Sequence, residues 1–500
     1  MTPAYENSEK LPPTQIMYAI PEKLPPIQYA NQNQSAYIAT APPNPPQTTY
    51  VTVINNSMPR RTRWQQRRSN TIVSAMFVFI YGGMDMAQGL GWNIEPATYE
   101  FQYSWFVGVI IGAVLAALSV THVPKWVFYS LGALLQLIDG ILFTSAASNY
   151  NAILAARYIG GTGIGLYTVS YIIHNSEITT SKNRGIFSGI EQYALALGIA
   201  LQVIFTEEWS LNLNSGLNLA HGICGIVFSL LAMGFVAFTG ESPIFHLRKN
   251  NEEKARSCQL CYVNISAPAN AFNGVFDEAK RYVAEGNSMS IGAELSSSAM
   301  PFIKMLFCRC LVAFTFSVPL SMAILESTMI LESYLDWTVI VWGILRWIGA
   351  CITLAIVDRV GRKFTSVLGL LCMAALMLAM AGIFANGYNQ INVYYMTQVY
   401  RISIAFQFFA GIYVPCTSIY LGEAFPMRVK PYLIGLIICI QQAIHIIVIF
   451  YQPLYLYFLA VGIILVISML LFVVLMPETR GLTLRQAGHR FRRVHDVTAY

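Results

Sequence analysis

The stretch DRVGRKFTSVLGLLCMAALMLAMAGIFA, residues 358–385, sets a charged loop of six residues against 22 residues that carry no charge. As a helix the uncharged part rises about 33 Å, enough to cross a hydrocarbon core about 30 Å thick. Working outward, comparable apolar segments fall near 71–91, 104–120, 126–146, 150–173, 185–205, 218–239, 306–330, 336–356, 364–385, 396–420, 431–451 and 453–476. Six precede a polar stretch at 240–304 and six follow it. The sequence therefore predicts an all-α membrane protein of twelve transmembrane helices in two pseudo-symmetric six-helix bundles, 70–239 and 305–476. A cytoplasmic loop with short helices, 240–304, would join them, with tails at 1–69 and 477–500.

Composition points the same way. Of the 500 residues 55% are apolar and 11% charged, against about 25% charged in soluble domains. An ordinary soluble enzyme is excluded, and the lipid bilayer is the expected surrounding. No phosphate-cradling Gly loop, Ser/His/Asp constellation or nucleic-acid patch is present, so neither catalysis nor a nucleic-acid partner is expected. The pairs Cys258/Cys261 and Cys308/Cys310 lack the regular spacing of a zinc site, and no metal or cofactor is expected. Residues 1–69 hold 11 of the 22 prolines and repeat Glu-Lys-Leu-Pro-Pro at Glu9 and Glu22. That composition predicts a disordered tail, read either as low complexity or as a cytoplasmic partner-binding peptide.

Basic residues near helix ends stay cytoplasmic. Arg60, Arg61, Arg63, Arg67 and Arg68 precede the first segment; Lys125, Lys182, Arg184, the 240–304 loop, Arg359, Arg362, Lys363, Arg428 and Lys430 fill the even loops, and the odd loops have no Lys or Arg. Both termini are placed in the cytoplasm of a multi-pass plasma-membrane protein.

The two halves carry the same signals in the same order. Arg157 opens RYIGGTGIG in the fourth segment, which runs to Glu177 with Arg184 seven residues on; Arg401 opens the tenth, which runs to Glu423 with Lys430 seven residues on. THVPKW at Thr121 and DRVGRK at Asp358 are 237 residues apart, as are Glu241 of ESP and Glu478 of PETRG. Two homologous six-helix halves explain the repetition.

These runs, with Gly185, Tyr420–Lys430 (YLGEAFPMRVK), Pro477–Leu484 (PETRGLTL), and Gly91-Trp92 followed by Pro96, make residues 71–484 resemble the sugar-porter family of the major facilitator superfamily. Within it the resemblance is to the insect facilitated trehalose transporters. It implies movement of a small polar solute, a sugar such as trehalose or a hexose, by alternating access of two bundles about a central site. It also implies a cytoplasmic gate made from Glu177, Arg184, Glu241, Asp358, Arg359, Arg362, Glu423, Arg428, Lys430, Glu478 and Arg480. Those charges either link the bundles or only pin loops. Substrate would be met by Gln192, Pro415, Ser418, Gln441, Gln442 and His445, with His445 read equally as a core histidine.

Departures from the family pattern are concentrated in the pocket and the first gate. Ser317 and Val318 stand at the place of a sugar-binding Gln pair, Ser418 at that of a Trp, Ile244-Phe245 at that of Arg-Trp, and THVPKW lacks the Asp, the Gly and one base. An organic-ion transporter of the same fold, or a non-transporting solute sensor, are the alternatives. Inside the membrane, Asp85 and Arg157 lie at similar depth, and Glu326 and Arg401 occupy pseudo-equivalent places. Asp85 is read either as a proton-coupling acid poised by Arg157 or as half of a permanent ion pair, the proton being then a further partner. Asp139, Glu191 and Arg346 are further intramembrane charges, and Glu191, beside Gln192, is expected to face the cavity.

Overall fold

The computed structural model describes residues 67–90, 98–209, 214–262, 269–331, 336–451 and 454–495. The Pro-rich tail with its repeat, Arg60, Arg61, Arg63, and the Gly91-Trp92 and Pro96 motif lie outside them. The first bundle is α1 (Arg67–Gly89), α2 (Tyr99–Ser119), α3 (Lys125–Ser145), α4 (Tyr150–Ile178), α5 (Arg184–Trp209) and α6 (Asn214–Val236). Four short helices follow: α7 (Pro243–Arg248), α8 (Glu252–Tyr262), α9 (Ala269–Ser288) and α10 (Ile291–Ser297). The second bundle is α11 (Ala299–Cys310) continuing into α12 (Val318–Ile330), then α13 (Asp336–Ile356), α14 (Arg362–Phe384), the short α15 (Gly387–Gln390), α16 (Val393–Glu423), α17 (Lys430–Ile449) and α18 (Leu454–Leu475), with α19 (Leu484–Arg492) beyond it.

Eleven segments among the described residues are long and apolar enough to cross a membrane. The twelfth crossing is α4, whose 29 residues carry buried Thr168, Ser170, His174 and Asn175. It turns little of itself to lipid and so needs less apolar surface. By contrast α18 shows lipid Ile463, Ile467, Leu470 and Val474, all exposed, the arrangement expected where the solvent is hydrocarbon. Helix starts are fixed by local chemistry: Asn149 Oδ1 accepts from the backbone N–H groups of Asn151 and Ala152 at α4, and Asn392 Oδ1 from Tyr394 N at α16. Between α2 and α4 small residues let the backbones meet, since a Cβ added at Gly161 or Gly165 would lie 2.2 Å from the Trp105 or Val109 carbonyl oxygen.

The seventh segment differs from the single helix expected over 306–330. It begins at Ala299, passes through a tight 3-10 turn (Leu311–Phe314), and breaks at Ser317, whose φ of −156° and ψ of 159° are extended. Pro319 accounts for the break. A continuous helix would bond the Thr315 carbonyl to the N–H of residue 319, and proline has none.

We call the end that carries Arg67, Lys125, Arg184, Arg362 and Lys430 the basic end. Helices α7–α10 and α19 lie there, and α7, α8, α9 and α19 share a small apolar core that includes Ile244, Leu247, Phe276, Tyr282 and Leu484.

Candidate functional site

A cavity lies between the bundles, lined by α1, α2, α4 and α5 on one side and by the broken α11, α13 and α17 on the other. Across it Glu191 of α5 meets Arg309 of α11, with Nη2 donating to Oε1 at 2.5 Å and both side chains no more than 2% exposed. Gln192 Nε2 donates to the same oxygen at 2.8 Å. Arg309 is held by Gln441 Oε1 at 2.8 Å on Nε, and by Thr417 Oγ1 at 2.9 Å and Ser418 Oγ at 2.8 Å on Nη1. Gln192, Gln441, Gln442 and His445 line the cavity, and the His445 ring stacks on Phe106 of the other bundle at 4.7 Å and 15°. Ser418 stands behind Arg309, and Pro415 packs beside Gly189 of α5; neither lines the cavity.

The broken helix explains the second cation in the cavity wall. The Thr315 carbonyl that Pro319 leaves open accepts from Arg346 Nη1 at 3.0 Å and Gln407 Nε2 at 3.0 Å. Thr315 Oγ1 accepts from Arg346 Nη2 at 2.9 Å, and Gln407 Oε1 from Nη1 at 2.9 Å.

At the basic end two clusters occupy matching places. In the first bundle Lys125 Nζ lies 3.3 Å from Glu177 Oε2 and 3.0 Å from Glu241 Oε1. Burial raises the Glu241 carboxyl, but Lys125, His174 and the Ser242 N–H outweigh it and hold the group below the usual carboxylate range. In the second bundle Arg362 pairs with Glu423, lies 3.6 Å from Asp358, and donates to Thr479 Oγ1 at 2.8 Å. Glu478 accepts from Lys363 N at 3.0 Å and Arg480 N at 2.9 Å. Gly361, at φ +121°, makes the turn before Arg362, where a Cβ would sit 2.7 Å from Glu478 Oε2.

Three contacts at this end join the bundles. Arg184 Nη1 donates to Glu423 Oε1 at 3.1 Å; Asp358 accepts from Gly185 N at 3.1 Å and Ile186 N at 2.9 Å, at the N-terminus of α5; Lys430 Nζ donates to Ser176 Oγ at 2.7 Å. Three expected gate residues stand apart. Arg480 is exposed and turns its guanidinium to the Arg359 carbonyl. Arg359 lies in the exposed turn before α14 and forms no ion pair among the described residues. Arg428 instead donates to the Met289 carbonyl at 2.9 Å.

The intramembrane pairs take a different form from the one expected. Arg157 Nη1 donates to the backbone carbonyl of Asp85 at 2.9 Å and to Gln88 Oε1 at 3.2 Å, while its Nε donates to the Phe101 carbonyl at 3.0 Å. The Asp85 carboxylate turns to His221 Nε2 at 3.0 Å. Asp139 approaches it: a Cβ at Gly160 would be 2.4 Å from Asp139 Oδ2 and 3.1 Å from Asp85 Oδ2. Equal depth puts two groups on one level of a bundle and leaves their azimuth open. Glu326 and Arg401 form no ion pair among the described residues, Arg401 being exposed beside the Tyr400 ring.

Residues 68–491 match the family model "Sugar (and other) transporter". The chain belongs to that family. Among curated members of it, the chain is 23% identical over 382 residues to the galactose-proton symporter of Escherichia coli, covering 71% of this chain and 80% of that one. It is 22% identical over 428 residues to hexose transporter 1 of Plasmodium knowlesi, covering 78% and 82%. It is 24% identical over 400 residues to the probable metabolite transport protein CsbC of Bacillus subtilis, covering 76% and 83%. Its fold is that of the major facilitator proton:xylose symporter XylE bound to 6-bromo-6-deoxy-D-glucose, with a TM-score of 0.68 at 17% identity, covering 85% of this chain and 99% of that one.

For this sugar-transporter chain, sequence reasoning passed over Arg309 and His221. Arg309 falls near the apparent start of the seventh segment, where a base reads as an interfacial anchor. His221 sits in a sixth segment whose pattern is otherwise plainly apolar.

Proposed function

We infer that the chain carries a small hydroxylated solute, a hexose or a disaccharide such as trehalose, across the plasma membrane by alternating access, with the basic end and both termini in the cytoplasm. One observation carries the reading: a polar cavity lies where two six-helix bundles meet, and among the described residues the bonds at Glu423, Asp358 and Lys430 join those bundles at the basic end. Glu191, Gln192, Gln441 and Gln442 supply hydroxyl partners, and Trp105 supplies an aromatic face at the cavity wall. The names of the hexose and galactose carriers support the sugar class, and the resemblance to insect trehalose transporters selects trehalose for the panel.

Asp85 is the proposed proton site. Its support is the buried meeting of two carboxyl groups and an imidazole, which can share a proton between them. The tandem Glu-Lys-Leu-Pro-Pro repeat is the segment we assign to a cytoplasmic partner. Uptake of labelled glucose and trehalose by cells expressing the chain, at two pH values, tests the function. Saturable uptake above that of control cells is expected, and its absence across a sugar panel overturns the reading. Unchanged, pH-independent uptake by Asp85→Asn removes the proton role alone.

A further inference from the structure

The charges that line the cavity do not cancel. Glu191 is matched by Arg309 at 2.5 Å, which leaves Arg346, 3% exposed and without an ion pair among the described residues. A buried cation with no anion beside it is costly in a membrane interior.

Its hydrogen bonds are distributed unevenly. A guanidinium has five N–H donors. The Thr315 carbonyl and hydroxyl take the edge formed by Nη1 and Nη2, and Gln407 takes the outer Nη1 hydrogen. What remains is the side edge, Nε–H with the inner Nη2–H. Two parallel donors on one edge are the geometry that binds a carboxylate through both oxygens. Pro319 fixes this, because the carbonyl it frees anchors the other edge of Arg346.

Two acceptors on the same cavity face no donor. Glu191 Oε2 and Gln442 Oε1 are buried and unpartnered among the described residues, and both residues line the space that Arg346 lines. Acceptors of this kind take hydroxyl hydrogens.

We propose that the cavity is built for a hydroxylated monocarboxylate, a sugar acid, whose carboxylate lies on the side edge of Arg346 and whose hydroxyls donate to Glu191 and Gln442. This inference rests on the transport reading above and narrows its substrate class. The anion completes the charge balance of the site, and the hydroxyls satisfy its orphaned acceptors.

The test is competition against labelled D-glucose uptake in cells by D-glucuronate, unlabelled D-glucose and cyclohexanecarboxylate, repeated with Arg346→Gln and Arg346→Lys at matched surface expression. D-glucuronate is expected to inhibit at least tenfold more strongly than D-glucose, and cyclohexanecarboxylate, which lacks hydroxyls, weakly. The glucuronate-to-glucose preference should fall about tenfold in Arg346→Gln and by less in Arg346→Lys, which keeps the charge and loses the paired edge. Glucose uptake that D-glucuronate does not inhibit, or a preference unaltered by both variants, overturns the sugar-acid inference and leaves sugar transport standing. Cyclohexanecarboxylate matching D-glucuronate overturns the hydroxyl assignment. If Arg346→Gln does not reach the surface, the wild-type ranking and Arg346→Lys decide. If neither labelled D-glucose nor labelled D-glucuronate enters, transport of sugars itself falls, and this inference with it.

Discussion

The two clusters at the basic end are the same design executed differently. Lys125, Glu241 and Ser242 in the first bundle correspond, 237 residues on, to Arg362, Glu478 and Thr479 in the second. Lys125 is a point charge shared between two carboxylates of its own bundle. Arg362 holds Glu423 and Thr479 at once through Nη1, and Glu423 then also accepts from Arg184 of the opposite bundle. One cluster fastens a bundle internally; the other fastens the two bundles together.

The asymmetry extends to a matched pair of losses. Asp358 accepts the N–H groups that open α5, and its counterpart in the first half is Thr121, which has no carboxylate. The helix that Thr121 would address, α17, opens at Lys430-Pro431, and proline has no N–H to give. The acceptor and one of the two donors are missing together, and Thr121 Oγ1 is buried and unpartnered among the described residues.

Breaking the comparison should cost most at Glu423. Glu423→Gln leaves buried Arg184 without a counter-charge and Arg362 with Asp358 alone, at 3.6 Å, a loss of about 3–5 kcal/mol on general grounds. Uptake is expected to fall at least tenfold, with a lower midpoint in a detergent melt followed by size-exclusion chromatography. Lys125→Met strikes the equivalent place in the first bundle. There two carboxylates, Glu177 and Glu241, each 8% exposed, lose their shared cation at a comparable cost in stability, but uptake is reduced less than about threefold because no bond between bundles is lost.

How far the sequence reaches follows from where these residues sit. Charges at the basic end recur between the halves, at an offset of 237 for Glu241 and Glu478 and of 246 for Glu177 and Glu423, so repetition alone marks Glu241, Glu478, Arg362 and Glu423. Repetition says nothing about direction: Arg359 and Arg362 share one motif, and only Arg362 turns inward. In the cavity, Gln192 and Gln441 were legible as polar residues in apolar helices. The contact between Glu191 and Arg309 was not, because it joins residues of different bundles, and the anchoring of Arg346 depends on a helix break caused by a proline 27 residues before it.

Acid should sharpen the comparison at Glu241. Its carboxyl is held below the usual range in the folded chain, so its contribution to stability is complete above about pH 4.3 and drains away as pH falls through the depressed value. Melts between about pH 5.5 and about pH 3 should show a declining midpoint whose slope is shallower in Glu241→Gln. The smallest effect is expected for Thr121→Asp. The restored carboxylate finds Pro431 in place of one of the two N–H donors that Asp358 uses, and uptake should change less than about twofold.

Opening of the basic end tests the division of labour most directly. Spin labels at Trp126 on α3 and Phe364 on α14, exposed residues on opposite bundles at 49% and 61%, report the separation of the bundles by electron–electron double resonance. The account predicts that Glu423→Gln shifts this distance distribution to longer values and that Lys125→Met leaves it in place. Equal shifts in both variants, or none in Glu423→Gln, would contradict it.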